Sequence, residues 1–501
     1  MSMARLALCA AVLAGALAIY LLTRGDESAP SPPPNVIVVM TDDQSLNTYT
    51  RETMANTFRL LDDGGTRFTD AYAMPPLCCP ARATFQTGQY PHNHGVVQNF
   101  YSQLRDKDNI LSVWLDRAGY DVGLAGKYMN EYNEIGPAPG FDHWWDLRGN
   151  PGYYDYEIVD GHHLEKAGGG RSDYTTLRTT DQAVDFIDRA AAGSDPFFLW
   201  TSYYAPHAFT RKEDPVCSKH TAQVLPEDWA RFKDAPVDLP PEFNEADVSD
   251  KPPMTSSLEP LDSEEIANIE ADIRCSMAAV YRVDKGIGEI VSALRDAGAE
   301  DDTAIFFISD NGLFFGEHRH TDDKAQPYRA DQEVPMAARV PADVLGSAAA
   351  AQVSQPTGTL DLAPTILDLA GADPCNAKEC RVMDGRSLLD VMRGDAESWP
   401  EHRARLAELG NDCGNFASVQ RDEWVYTEWY EGEPPDACRT IFYELYDLRN
   451  DPGELENLLG PEPVSDVPEV DAKAEAMAGL LARERTCSGI EGRDETKNPC
   501  E

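Results

Sequence analysis

The chain has 501 residues, 42% hydrophobic and 26% charged, with 86 Asp and Glu against 43 Lys and Arg and a formal net charge of −43. That acidity excludes general binding to nucleic acid or to anionic membrane surfaces and reads as a solvated, colloidally stable exterior. The length gives a prior of about three domains, and the apolar content supports a real core, as in one large α/β enzyme domain with a smaller companion.

Residues 6–22 follow Arg5 as an uncharged apolar run from Leu6 to Leu22, the pattern of an export signal. Ala16-Leu17-Ala18 offers a small-residue cleavage site, while continuation through Leu22 approaches the length that spans a bilayer. A cleaved signal and an uncleaved N-terminal anchor, with membrane attachment through residues 6–22, both remain open, so residues 1–24 are assigned to signal or anchor. Residues 25–34 form a Pro-rich polar linker that buries no core. Export places the protein in a secreted or extracytoplasmic setting and permits disulfides. By proximity, Cys375 pairs with Cys380, Cys413 with Cys438 and Cys487 with Cys500, although spacing does not determine connectivity.

Asn35-Val36-Ile37-Val38-Val39-Met40 is a continuous, β-branched apolar run, predicted as a buried parallel strand. It ends in Thr41-Asp42-Asp43-Gln44, two carboxylates at the C-terminal edge where open α/β sheets bind ligands. A capped turn explains the pair blandly, but adjacent carboxylates repel unless a cation such as a hard divalent ion lies between them.

Leu77-Cys78-Cys79-Pro80-Ala81-Arg82 continues to Thr87-Gly88. Pro80 suits a helix's first turn, so Cys78 is predicted just ahead of a helix N-terminus, whose N–H groups and dipole favour an anion and a lowered thiol pKa. Arg82 lies one turn on, facing the same way. On its own the stretch equally suits two half-cystines.

Ile110–Leu115 is predicted helical and Asp121–Gly126 a strand, with Lys127 directly after Gly126, where the glycine lets the backbone come close. Thr180–Ala192 has amphipathic spacing. Pro196–Tyr203 reads as a core strand leading to Ala205-Pro206-His207, and residues 211–262 as a long surface excursion. A helix opens at Ser263 with Ser263 or Asp262 as cap and continues through Val283–Leu294. Thr303–Ser309 is the next strand, ending in Asp310-Asn311-Gly312, a second pair of oxygen donors; Lys324 follows in a polar loop. Asp361–Ala370 is a helix stopped by Gly371. After about residue 396, strand-like pieces such as Trp424–Tyr430 and Glu444–Leu448 replace the strand–helix alternation, and a helix runs from about Asp471 to Arg485.

Cys78-x-Pro80-x-Arg82 with Thr87-Gly88 resembles the signature of the type I, formylglycine-dependent sulfatases. The order of Asp42-Asp43, Cys78 with Arg82, Lys127, His207, and Asp310-Asn311 with Lys324 is similar to that family across nearly all of residues 35–458. Leu445-Tyr446-Asp447-Leu448-Arg449-Asn450-Asp451-Pro452-Gly453-Glu454 resembles its small-domain signature. The resemblance implies an alkaline-phosphatase-like α/β sandwich with a large mixed, mostly parallel sheet over residues 35–395. It adds a small C-terminal α+β subdomain with an antiparallel sheet over 396–486 and a tail over 487–501.

It also implies that a formylglycine-generating enzyme oxidises Cys78, and that Ca²⁺ is held by Asp42, Asp43, Asp310, Asn311 and the modified Cys78. Oxygen donors of this kind suit Ca²⁺, with Mg²⁺ as the alternative. By the same resemblance, Arg82, Lys127, His207 and Lys324 act on the sulfate, with His207 and Lys324 serving the leaving oxygen. Hydrated formylglycine carries two hydroxyls on one carbon, one to attack sulfur and one to expel sulfate afterwards. The family's Lys-x-His pattern reads Lys127-Tyr128-Met129 here, which leaves the base for that second step unassigned.

Gly126–Tyr132, Cys78–Arg82 and Tyr90-Pro91-His92-Asn93-His94 are most similar to the N-acetylglucosamine-6-sulfatase branch. The implied partner is a sulfated, glycosaminoglycan-like carbohydrate. The alternatives are a phosphonate or phosphate-diester hydrolase of the same superfamily and a non-catalytic sulfated-glycan binder.

Overall fold

A computed structural model describes residues 32–500 apart from 210–216, 218–220, 322, 347–348, 411–414, 433–438 and 494–495. Contacts separate residues 1–33 from a unit of residues 34–501, and the fold below is that of the second. The apolar run 6–22 and the Cys413–Cys438 pairing lie outside the described residues.

The strands of the main sheet are β1 (Asn35–Asp42), β2 (Thr66–Phe68), β4 (Asp121–Gly126), β5 (His143–Leu147), β6 (Glu157–Asp160), β7 (His163–Lys166), β8 (Phe197–Pro206), β9 (Thr303–Ser309), β10 (Met336–Arg339) and β11 (Gln352–Val353). A small separate pair is formed by β3 (Ala71–Tyr72) and β12 (Thr357–Gly358). The main sheet has the order β11-β2-β10-β9-β1-β8-β4-β5-β6-β7. The centre, β9-β1-β8-β4-β5, is parallel; β10 runs against β9 and β2, and β6 against β5 and β7. This is the expected mixed, mostly parallel sheet.

Its burial follows from the two-residue period of a strand. Along β1, Val36, Val38 and Met40 enter one apolar cluster while Ile37 and Val39 enter the other. Each such side chain is worth about 1.5–3 kcal/mol when buried, so neither face is left to water. Helices α1 (Cys78–Thr87), α2 (Leu111–Arg117) and α5 (Leu362–Ala370) cover the first face, and α3 (Thr175–Ala190) and α4 (Ser263–Asp296) the second. The helix expected from Ser263 through Leu294 is one 34-residue helix. Asp262 is its cap, accepting from the backbone N–H groups of Glu264 and Glu265 while Glu265 reaches back to the N–H of Asp262.

Strands β13 (Arg405–Leu409), β14 (Phe416–Arg421), β15 (Trp424–Glu431) and β16 (Arg439–Asp447) form an antiparallel sheet. Helix α6 (Pro468–Glu484) lies on it through Ala474, Met477, Leu480 and Leu481. Disulfides join Cys375 to Cys380 and Cys487 to Cys500, as proximity suggests. A third joins Cys217 to Cys275 across 58 residues, a pairing that only the tertiary fold creates. The described part of the excursion is not loose on the surface: it includes the helix Pro226–Phe232 and buries Leu225, Phe232 and Val248.

Candidate active site

The central parallel strands end together. Thr41 of β1 is in register with Ser309 of β9, and Asp42 with Pro206 of β8. Asp42-Asp43, His207 and Asp310-Asn311 therefore leave the sheet at one edge. Gly126 closes β4 beside Ser202 with a φ of +120°, and a Cβ there would lie 1.8 Å from the Ser202 carbonyl oxygen. Only glycine permits that approach, which lets the Lys127 N–H donate to the same carbonyl at 2.9 Å.

Helix α1 delivers the thiol. Leu77 is the extended N-cap and Cys78 the first helical residue, one position further into the helix than expected. Cys78 is fully buried. Its Sγ lies 3.0 Å from Lys324 Nζ, 3.5 Å from Asp42 Oδ1 and 3.9 Å from Asp43 Oδ1. The expected lowering of the thiol pKa is overturned: burial, then the charge of Asp42, pushes it well up, and Lys127 and Lys324 offset this only in part. Unmodified, Cys78 is a poor nucleophile.

Arg82, four residues on and wholly buried, donates from Nε to Asp310 Oδ2 at 2.8 Å and from Nη2 to Asp42 Oδ2 at 3.0 Å. Its Nη1 donates to the carbonyls of Lys127 and Tyr128 and to Ser202 Oγ at 2.7–3.0 Å. Through these bonds Arg82 holds the carboxylates of Asp42 and Asp310 in place. Lys127 forms an ion pair with Asp42. Burial opposes the ammonium charge, but Asp42 and the Cys78 sulfur raise its pKa.

Asp43 adopts a φ of +63°, the left-handed region that a non-glycine residue enters only under constraint. The constraint comes from three sides. Its N–H donates to Asp310 Oδ1 at 3.2 Å, and its Oδ1 accepts from Asn311 Nδ2 at 2.6 Å and from Lys324 Nζ at 2.5 Å. His207 stacks on Tyr204 and engages the Ala208 carbonyl through Nδ1 at 2.7 Å. That bond requires a proton on Nδ1, so in the neutral ring the Nε2 lone pair faces Asp43 Oδ2 at 3.6 Å and Asp42 Oδ1 at 3.9 Å. Burial lowers the imidazole pKa to about 4.

Three buried carboxylates share this space. Burial acts to raise the pKa of Asp42, but Lys127, His207, Arg82 and Lys324 together hold it low. Asp310 is pushed upward by burial and by Asp42, despite its contact with Arg82. Like charges about 4 Å apart repel by about 4 kcal/mol at an effective dielectric of about 20, a cost that Arg82, Lys127 and Lys324 offset and that a divalent cation between the carboxylates would offset further. The donor chemistry fits a hard divalent ion. Ligand-type atoms of Asp42, Asp43, Cys78 and His207 all lie within 4.8 Å of one another, a group that includes His207 and not the expected Asp310, whose two carboxylate oxygens accept from the Asp43 N–H and Arg82 Nε; Asn311 Oδ1 is buried without a hydrogen-bond partner.

Asp42, Asp43, Cys78, Arg82, Lys127, His207, Asp310, Asn311 and Lys324 thus meet at one sheet edge. Within it, the Cys78, Arg82 and Asp310 side chains are sealed, while those of His207 and Lys324 are 14% and 18% exposed and form the mouth. Ser202, which orients Arg82, carries no sequence signal beyond its place in a strand. Met129 joins the apolar cluster with Tyr128 and Trp144.

The Sulfatase family model matches residues 34–372, and the model of the N-sulphoglucosamine sulphohydrolase C-terminal region matches residues 316–474. The chain is 30% identical over 496 residues to the N-acetylglucosamine-6-sulfatase of Homo sapiens, a match covering 90% of this chain and 85% of that one. It is 29% identical over 392 residues to the Extracellular sulfatase SULF-1 homolog of Drosophila melanogaster, covering 76% of this chain but spanning only 33% of that relative. The solved structure of a protein in complex with its substrate D-glucosamine-2-N,6-O-disulfate superposes with a TM-score of 0.69 at 22% identity, over 90% of this chain and 97% of that one. At that identity the likeness speaks for the fold.

Proposed function

The chain belongs to the sulfatase family, and from that premise we propose that it hydrolyses sulfate esters, specifically the 6-O-sulfate of N-acetylglucosamine in glycosaminoglycan-like sugars. The observation that carries the reading is the buried Cys78 thiol at a helix start, 3.0 Å from Lys324 Nζ and ringed by Asp42 and Asp43. The order Cys78-x-Pro80-x-Arg82 and the place of residue 78 among Asp42, Asp43 and Lys324 support conversion to formylglycine by a generating enzyme during maturation. Formylglycine, as its hydrate, would supply a hydroxyl to attack sulfur and a second whose deprotonation releases sulfate. Ca²⁺, held by Asp42, Asp43, Asp310, Asn311 and residue 78, would neutralise charge on the sulfate oxygens.

The chain's own groups then divide the work by position and charge. Arg82 fixes Asp42 and Asp310, and Lys127 adds positive charge beneath the sulfate position. At the mouth, burial opposes the charge of Lys324, but Asp43 outweighs it and keeps the ammonium protonated, suiting it to protonate the leaving oxygen. His207 is neutral with Nε2 turned toward the site. With Lys324 it flanks the position of the leaving oxygen. Export through residues 6–22 places the reaction outside the cytoplasm, in keeping with three disulfides among the described residues.

The test uses protein from its own host. Peptide mass spectrometry at position 78 is expected to show formylglycine, and sulfate release to be fastest from N-acetylglucosamine-6-sulfate among defined sulfated sugars. A faster rate on an aryl phosphate diester than on any sulfate ester would transfer the protein to the phosphodiesterase branch, and an unmodified Cys78 would favour a glycan binder.

A further inference from the structure

We propose that Asp331 is a positioning residue for Lys324, tying the loop that carries this lysine to the strand end that carries Asp310 and Asn311. The inference rests on the function proposed above, in which Lys324 serves the leaving oxygen.

Asp331 is fully buried in the short helix Arg329–Gln332 and holds two segments at once. Its backbone carbonyl accepts from the Gly312 N–H at 2.8 Å, directly after Asn311. That contact is so close that a Cβ on Gly312 would lie 2.4 Å from the Ala330 oxygen. Its side-chain Oδ2 accepts from the Gln326 N–H at 2.9 Å, two residues beyond Lys324. Between these points Ala325 takes a φ of +66°, a turn that a residue with a Cβ does not adopt without external support.

The far side of the loop has its own braces, Tyr328 Oη to Glu444 and the Arg329 N–H to Glu454, both at 2.9 Å. Those bonds secure the loop to the C-terminal part of the chain. Toward the site, the Asp323 carbonyl accepts from the Phe314 N–H at 3.0 Å before Lys324 and the Asp331 side chain holds the Gln326 N–H after it, so that Lys324 Nζ spans Asp43 and Cys78 at 2.5 and 3.0 Å. The second oxygen of Asp331, Oδ1, is buried with no hydrogen-bond partner. An interior acceptor left unpaired opposes folding, so an apolar side chain of similar volume would spare that cost while losing the bond to Gln326.

Asp331→Asn keeps an oxygen that can accept from the Gln326 N–H, and Asp331→Leu does not. A lysine that protonates the leaving oxygen matters most when that oxygen is a poor leaving group. Asp331→Leu is therefore expected to lower kcat on N-acetylglucosamine-6-sulfate by about 30-fold and on nitrophenyl sulfate by less than about 3-fold. Asp331→Asn should stay within about 3-fold of wild type on both. In a Lys324→Ala background, Asp331→Leu should cost less than about 3-fold more. Equal losses on the two esters, an Asn variant as impaired as the Leu variant, or a full 30-fold loss in the Lys324→Ala background would each overturn the assignment. If Asp331→Leu does not fold, Asp331→Ala carries the same expectations and the same overturning results. Wild-type protein inactive on both esters would instead refute the proposed function.

Discussion

Arg82 Nε and Asp310 Oδ2 meet at 2.8 Å across 228 residues of sequence, with neither side chain exposed. The same guanidinium holds Asp42 at 3.0 Å, so one residue of α1 aligns carboxylates from two strand ends. A lysine has one nitrogen and no planar fork. Arg82→Lys should therefore leave at least one buried carboxylate unpaired, lowering stability by about 3–5 kcal/mol and abolishing turnover. Thermal melts with and without Ca²⁺ measure the first and sulfate release the second. A variant as stable and active as wild type would remove Arg82 from the framework of the site.

Cys78→Ala separates chemistry from folding. The side chain is buried but holds no disulfide, so the melting free energy should change by no more than about 1–2 kcal/mol, while sulfate release falls to background. Residual activity near wild type would exclude a covalent role for position 78.

Chelation tests the ion. Removing it leaves Asp42, Asp43 and Asp310 crowded against one another at the sheet edge, with only Arg82, Lys127 and Lys324 in compensation. EGTA is expected to abolish activity and lower Tm, and Ca²⁺ to restore both more fully than Mg²⁺. At a free ion concentration about 100 times Kd, the linked stabilisation is about 2.7 kcal/mol. An unchanged Tm and activity after exhaustive chelation would refute the metal.

Stability should be greatest in mild acid. Burial pushes the carboxyl of Glu454 up to about 8 and those of Asp146, Glu317 and Glu484 up to about 7. Between their ordinary values near 4 and these raised ones, these four groups bind more protons in the folded chain than in the unfolded one, so their contribution falls as pH rises, and they outnumber His94, His207 and His318, whose burial-lowered pKa acts the other way below about 6.5. His92 acts with the same sign. Burial disfavours its charge, but Glu408 at 2.6 Å and the Cys487 carbonyl at 2.8 Å raise its pKa. Its contribution is complete below about 6.5 and is lost as pH climbs through the raised value. Tm is expected to drop from about pH 5.5 to about pH 8, less steeply in His92→Gln. A Tm that rises over that window would contradict these shifts.

Much of the frame was legible in the residues. The apolar run Val36–Met40 reads as a strand covered on both faces, and Gly126 before Lys127 marks a backbone approach that no Cβ tolerates. Harder to read were features whose cause is distant in the chain. The thiol of Cys78 looked poised for a lowered pKa at its helix start, but the full burial of that site and the nearness of Asp42 reverse the sign. The bonds of Arg82 to Asp42, Asp310 and Ser202 join residues 40, 228 and 120 positions away, which its own helix does not reveal.

By itself the sequence determined the α/β alternation, the strand ends that carry charge and the kind of chemistry those side chains can perform, because periodicity, turn residues and functional groups are local properties. Which nitrogen meets which oxygen, which thiols pair across 58 residues, and which lysine stands at the mouth were decided only when the parallel strands came into register. Hydrogen bonds and desolvation depend on distances between atoms far apart along the chain, and neither spacing nor composition encodes those distances until the core has packed.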